Sequence, residues 1–312
     1  MTIDAATRAG VLVEAIPYVR RFAGRVVVVK YGGNALAALD GASPESAEAD
    51  VLTHFADDVA LLRAVGVLPV VVHGGGPQIG ELMKRLGKTP SFYEGLRVTD
   101  AETLEIARMV LVGKVNRDIV RALNVSGALA VGCSGEDAGF ITASERDPAL
   151  GYVGDVVSVD PTLVQHLLRE GLVPVVATIG TDASGQAYNI NADTVAGALA
   201  EALNAEKLVF LTDVTGVRSN RADPASVLQR ISAGGLEALI TSGAVGDGMV
   251  PKALACAHAV RHGVHSAHVL DGRIQHSLLL ELLSDEGVGT MIETELGGGS
   301  TPPARDESKK GQ

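Results

Sequence analysis

The chain contains no tryptophan, and its aromatic share is only 3%. That scarcity excludes the stacking platforms on which single-strand nucleic-acid binders and many large interfaces depend. Cysteine occurs twice in 312 residues, at Cys133 and Cys256. Two thiols make no disulfide framework, so a reducing compartment, and with it a cytoplasmic protein, is expected. No apolar run approaches the ~20 residues that a membrane helix needs. The opening stretch MTIDAATRAGVLVEAIPYVRRF carries Asp4 and Glu14 in or beside its apolar part, unlike a signal peptide. Basic residues are also short, 26 against 37 acidic for a net charge of −11. Neither nucleic acid nor a membrane surface is an expected partner.

What is present is a globular composition, 46% hydrophobic and 20% charged, at a length that suggests two lobes. Short β-branched runs, Val26–Lys30, Leu68–Val72, Ala128–Gly132, Leu172–Thr178, Lys207–Asp213 and Ala267–Leu270, predict strands. Between them, apolar residues at helical spacing predict helices at Ala47–Val65, Gln78–Leu86, Ala101–Leu123, Pro161–Arg169, Ala192–Leu203, Pro251–Arg261 and Ile274–Leu283. Strands apolar throughout and separated by helices indicate a mainly parallel sheet buried on both faces, a three-layer αβα sandwich. Gly139–Asp160 reads as a β-hairpin, and Thr7–Phe22 as an extra amphipathic helix outside the alternating series, packed on the core or reaching another subunit. The Gly-, Pro- and charge-rich residues 297–312 read as a disordered tail.

Two glycine turns follow buried strands directly. One is VVVVKYGGN, with Lys30, Gly32, Gly33 and Asn34; the other is PVVVHGGGP, with Gly74, Gly75, Gly76 and Pro77. Such turns let backbone N–H groups approach an anion, and the following helix N-terminus adds positive potential. Neither is a P-loop or a GxGxxG fingerprint, so the anion site belongs to another class. NINAD offers Asn189, Asn191 and Asp193 at a helix mouth, where one of the three is expected to serve as N-cap. VGDGMVPK delivers Lys252 to the start of a further helix. His258 and His262, four residues apart and near Cys256, have helical spacing suited to a metal. An exposed helix accounts for them as well and no closed ligand set is specified, so no metal site is assigned.

KYGGN, HGGGP, GLRVT (Gly95–Thr99), NINAD, LTDVTGV (Leu211–Val217) and DGMVPK follow one another in an order and approximate spacing that resembles the amino acid kinase family, over about residues 10 to 293. GLRVT with NINAD and DGMVPK narrows the resemblance to members that phosphorylate N-acetyl-L-glutamate. The resemblance implies that Lys30 and Lys252 flank the transferred phosphoryl group and that Gly33 and Gly75 donate backbone N–H groups to it. Asp193 is then the carboxylate that holds both lysines. Gly75, Gly76, Arg97 and Asn189 match positions that bind N-acetyl-L-glutamate. Asp213 to Arg218, including Gly216, together with Gly246 and Gly248, match nucleotide-binding loops. ATP is the implied donor, and Mg²⁺ is expected to be bound mainly through ATP.

The implied division is an interaction helix at 1–23, an acetylglutamate lobe at 24–187 with the hairpin as its lid, and an ATP lobe at 188–296. Arginine-inhibited members carry an N-terminal helix and a C-terminal pattern like His276–Ile292, and both are present here. L-arginine is therefore an implied inhibitor, held by Lys207, His268, Glu281 and Gly287, and a homo-hexamer built as a trimer of dimers is the implied assembly. Cys133 and Glu136 depart from the leucine and lysine of many relatives. A sister kinase acting on another carboxylate or on carbamate, and a non-catalytic arginine sensor, stay open as alternatives.

Overall fold

The computed structural model of the chain describes residues 4–32, 44–93, 95–125, 127, 130–246, 248–284 and 287–295, with the backbone alone at 8 and 44–50. Gly33, Asn34, Asp247 and the 297–312 tail lie outside the described residues. Asp4 opens helix α1 (Ala5–Phe22), its carboxylate accepting from the N–H groups of Ala6 and Thr7. The chain continues through β1 (Val26–Tyr31), α2 (Pro44–Ala64), β2 (Leu68–His73), α3 (Gly76–Arg85), the two-residue strands β3 (Phe92–Tyr93) and β4 (Leu96–Arg97), α4 (Ala101–Arg108), α5 (Asn116–Val125) and β5 (Ala130–Ser134). Then come β6 (Ile141–Glu145), β7 (Val153–Val159), α6 (Thr162–Arg169), β8 (Val173–Ala177), β9 (Ile179–Thr181), β10 (Ala187–Ile190) and α7 (Ala192–Ala202). The last third holds β11 (Lys207–Thr212), β12 (Arg230–Ser232), α8 (Ala233–Thr241), α9 (Val250–Arg261), β13 (Ser266–Asp271), α10 (Ser277–Leu283) and β14 (Gly289–Glu293).

Eight strands form one sheet in the order β12-β14-β13-β11-β1-β2-β8-β5. From β5 to β13 every pairing is parallel; β14 runs antiparallel to β13 and parallel to β12. Because side chains alternate along a strand, Val28 faces one layer while Val27 and Val29 face the other. One apolar core therefore gathers α6, α7, α8 and α9 over one face, and a second gathers α2, α3, α4, α5 and α10, with Phe22 of α1, over the opposite face. This is the expected α/β sandwich with a mainly parallel sheet. No helix of the described residues is long and apolar enough to cross a membrane.

The expected hairpin appears as antiparallel β6 and β7, and it closes with β9 and β10 into a small four-stranded unit. Thr99 stitches that unit to the preceding loop, donating its N–H to the Leu150 carbonyl and accepting from the Tyr152 N–H. The predicted single helix Ala101–Leu123 is instead interrupted by a π-helical turn at Met109–Val115. That wider turn carries buried Leu111 and Val115 against the glycine turn after β2. Its position beside a strand end fits the tendency of π turns to occur at functional sites.

Candidate functional site

Strands β2, β1 and β11 lie side by side, so their carboxyl ends open together. In open α/β sheets ligands bind in the crevice at such ends. Lys30 lies at the end of β1, 7% exposed, and its Nζ is 2.9 Å from Oδ1 of Asp193. Lys252, from the first turn of α9, donates to the other carboxylate oxygen, Oδ2, at 3.1 Å. One buried carboxylate thus binds two ammonium groups on its two oxygens. Burial pushes the Asp193 carboxyl upward, but Lys30 and Lys252 outweigh it and hold the group below the usual carboxylate range.

NINAD distributes three tasks. Asn191 is the N-cap of α7, accepting from the N–H groups of Asp193 at 2.8 Å and Thr194 at 3.3 Å. Asp193 is thereby fixed in the first helical turn, and Asn189 turns the other way, its amide 3.5 Å from Thr99 Oγ1. The glycine after β1 is dictated by crowding: a Cβ at Gly32 would lie 2.9 Å from the Leu211 carbonyl oxygen and 3.3 Å from Lys30 Nζ. Gly32→Ala is expected to lower kcat by about 10²-fold, the effect of displacing a reacting group by about 1 Å. Steady-state kinetics together with a thermal melt separate that loss from unfolding.

The second glycine turn ends at Gly75, the N-cap of α3, with Pro77 in the first helical turn. Arg97 at the end of β4 donates to the Gly76 carbonyl at 2.8 Å, and its guanidinium lies over the Phe92 ring at 4.9 Å. Gly75, Gly76 and Arg97 therefore stand together, with Asn189 joined to them through Thr99.

Residues that sequence reasoning missed hold this turn from below. His73, fully buried, lies 3.0 Å through Nδ1 from the Gly74 carbonyl and 3.1 Å through Nε2 from the Asn116 amide nitrogen. Asn116, at the end of the π turn, also donates to the Val175 carbonyl at 2.8 Å. These partners assign the neutral tautomer with the proton on Nδ1. Burial drops the His73 imidazole to about 4. Its folded-state value lies below its unfolded one, so the stability it contributes is full above about pH 6.5 and is lost as pH falls toward 4. The expected slope is about 1.4 kcal/mol per pH unit in that window. Asp58, pushed up to about 6 by burial, acts in the opposite direction. Denaturant titrations of wild type and His73→Asn between pH 6.5 and 4.5 isolate the histidine as a smaller slope in the variant.

A cavity of about 540 Å³ opens beside Lys252, lined by Asp213, Gly216, Arg218, Arg221, Gly246 and Gly248 among others. Residues of the predicted Asp213–Arg218 loop therefore meet Gly246 and Gly248 at one concave surface. Glu136, which departs from the pattern, pairs with Arg108 at 2.8 Å on the exterior. Cys133 is buried in β5 and its thiol is pushed up to about 12, so it is inert.

A separate cavity of about 510 Å³ lies between α1, through Tyr18, Arg21 and Phe22, and the C-terminal region, through Glu281, Gly287 and Met291. Lys207 lines it with its Nζ 4.0 Å from Glu281 and 5.3 Å from the Phe22 ring centroid. His268 Nδ1 is 2.7 Å from the same carboxylate. Burial opposes ionisation of Glu281, yet His268 and Lys207 hold it below the usual carboxylate range. Burial brings Lys207 down to about 8 and His268 down to about 4.

The model of the amino acid kinase family matches residues 25–271. The acetylglutamate kinase of Symbiobacterium thermophilum is 50% identical over 301 residues, covering 94% of this chain and 99% of its own. That of Saccharopolyspora erythraea is 51% identical over 295 residues, covering 92% and 93%. Among solved structures, the N-acetylglutamate synthase of Neisseria gonorrhoeae complexed with coenzyme A and N-acetyl-glutamate superposes with a TM-score of 0.78 at 27% identity. That match covers 92% of this chain and 63% of the synthase chain.

Proposed function

The chain belongs to the amino acid kinase family, and from that membership and its site we propose that it transfers the γ-phosphoryl group of ATP to the γ-carboxylate of N-acetyl-L-glutamate, as an acetylglutamate kinase. The observation that carries the reading is Asp193 bridging Lys30 and Lys252 between the two glycine turns and the cavity beside α9. Phosphoryl transfer develops charge on equatorial oxygens in a loose transition state, so positioning and positive charge supply most of the catalysis. Lys30 and Lys252 provide that charge. Asp193 keeps two like charges together before the substrates arrive and aims both ammonium groups at one point. Gly75 offers its backbone N–H to the same oxygens.

The acceptor carboxylate is ionised at neutral pH and needs no base to activate it. It attacks phosphorus, the β–γ bridging bond of ATP breaks, and ADP leaves with those electrons. Arg97 clamps a carboxylate of the acyl amino acid beside Gly75 and Gly76, with Asn189 across from it. Asp213, Gly216, Gly246 and Gly248 hold the nucleotide. Mg²⁺ fits as an ion carried by the phosphates: Asp213 is the sole carboxylate lining the cavity among the described residues, and such an ion keeps several waters. When bound it neutralises phosphate charge.

The N-terminal half, 24–187, is the acyl-amino-acid lobe and 188–296 the ATP lobe. The free, buried Cys133 and Cys256 suit a reducing cytoplasm. The hydroxamate formed when hydroxylamine traps the acyl phosphate tests the activity: MgATP with N-acetyl-L-glutamate gives product, while glutamate, aspartate and carbamate do not. Product from carbamate or aspartate in preference would move the assignment to a sister kinase, and no product from any acceptor would favour a non-catalytic sensor.

The cavity between α1 and the C-terminal region is a site for L-arginine as inhibitor. The ionised Glu281 suits a guanidinium, and Lys207, His268 and Gly287 surround it. Glu281→Ala is expected to raise the half-inhibitory arginine concentration at least about tenfold, the loss of one charge-assisted hydrogen bond. Removing residues 1–22 takes Tyr18, Arg21 and Phe22 out of the cavity and is expected to abolish inhibition. The same helix exposes Val11, Leu12, Val13 and Ile16, an apolar surface suited to joining dimers into a hexamer, a trimer of dimers.

A further inference from the structure

We propose that Glu201, His258 and His262 form a binding site for one divalent transition metal ion, Zn²⁺ by the chemistry of its donors, which cross-links α7 to α9. His258 lies in the last turn of α9 and His262 is its C-cap, four residues on, and Glu201 reaches them from the last turn of α7. Each residue offers one ligand atom, and all three atoms lie within 4.8 Å of one another. Zinc bound at about 2.0–2.1 Å in a tetrahedral shell spaces its ligands about 3.3 Å apart. Small rotations of exposed side chains close the remaining gap.

The orientation of the groups is already set. His262 Nδ1 lies 2.8 Å from the His258 carbonyl oxygen, an interaction in which the ring nitrogen must donate. Its Nε2 then carries the free lone pair. Such an outer hydrogen bond to a carbonyl is what fixes the tautomer of metal-bound histidines. The two imidazole rings stack with centroids 3.9 Å apart and planes 22° apart, and His258 Nδ1 is 2.7 Å from Glu201 Oε1. Cys256, two residues before His258, is fully buried with its thiol pushed upward, so the third ligand is the carboxylate from the neighbouring helix. Two imidazoles and one carboxylate favour zinc, copper or nickel over Mg²⁺ or Ca²⁺, and a water completes the shell.

The position gives the ion a consequence. α7 begins at the Asp193 turn and α9 at Lys252, so both helices carry a member of the lysine–carboxylate cluster at one end and a metal ligand near the other. A bound ion pins the far ends of the two helices together.

The test uses metal-free, tag-free full-length protein titrated with Zn²⁺ by calorimetry in the presence of excess Mg²⁺, and with Co²⁺ by visible absorption. One ion per chain is expected, with the tetrahedral Co²⁺ spectrum and a raised unfolding temperature. His258→Ala, His262→Ala and Glu201→Gln are each expected to weaken binding at least about tenfold and to remove the rise in unfolding temperature. Circular dichroism confirms that each variant is folded, and any one folded variant suffices. Absence of saturable binding, displacement by Mg²⁺, or zinc affinity unchanged in a folded variant overturns the proposal.

Discussion

Lys252→Ala is expected to lower kcat by about 10²–10³-fold, the cost of removing one preorganised donor from developing transition-state charge, about 2.7–4 kcal/mol. The argument rests on where the ammonium sits. Lys252 enters from α9, its side chain 21% exposed, beside the cavity lined by Asp213, Gly216 and Gly248, and it donates to one oxygen of Asp193. Truncation leaves the sheet and both cores intact, because Ala253, Cys256 and Ala257, not Lys252, pack into the apolar layer. The loss should therefore appear in kcat with little change in melting temperature. KM for N-acetyl-L-glutamate, which the proposed function assigns to Arg97 and the second glycine turn, should move far less than kcat. Lys252→Arg restores charge without the compact ammonium geometry and should recover only part of the rate.

Asp193→Asn is expected to cost both stability and rate. The carboxylate is buried and neutralises two ammonium groups, Lys30 at 2.9 Å and Lys252 at 3.1 Å. An amide of the same shape keeps the α7 cap, because Asn191 supplies it, but leaves two lysines facing each other without a counter-charge. Breaking a buried ion pair by removing one partner typically costs about 3–5 kcal/mol. In the proposed function Asp193 acts through the lysines, as a positioning residue. Bound ATP supplies substitute negative charge, so the variant's melting temperature should rise on adding nucleotide by more than the wild type's does. A variant with unchanged kcat and stability would contradict this role.

Much of the architecture was legible because its signals are local. The all-apolar runs at β1, β2, β8, β11 and β13 announce strands buried on both faces, and the glycines after β1 and β2 mark the ends where a ligand can approach. Lys30, Asp193 and Lys252 each stand in a short motif, and the fold brings the three within ion-pair distance. Lys207, His268, Glu281 and Gly287 likewise meet around one cavity and its wall. What escaped depends on partners distant in sequence. His73 and Asn116 are 43 residues apart, and nothing in hydrophobic periodicity marks a hydrogen bond between them. The π turn at Met109–Val115 keeps the apolar spacing of an ordinary helix, so Ala101–Leu123 reads as unbroken. β12 is an edge strand held by β14, which lies between it and β13 and is about 60 residues away in sequence, so local pattern marks neither pairing. Glu201 stands 57 residues from His258, which is why the histidine pair alone specified no ligand set.

The most direct test of the phosphoryl-transfer account uses N-acetyl-L-glutamate labelled with ¹⁸O in both γ-carboxylate oxygens, MgATP and hydroxylamine. If the carboxylate attacks the γ-phosphorus, one labelled oxygen becomes the bridge of the acyl phosphate. Hydroxylamine then attacks the carbonyl carbon, the carbon–oxygen bond breaks, and the bridge leaves with phosphate. The expected result is inorganic phosphate carrying one ¹⁸O atom per hydroxamate formed, with the rate cut about 10²-fold or more in Lys252→Ala. Unlabelled phosphate, or labelled product formed equally fast without Lys252, would contradict the account.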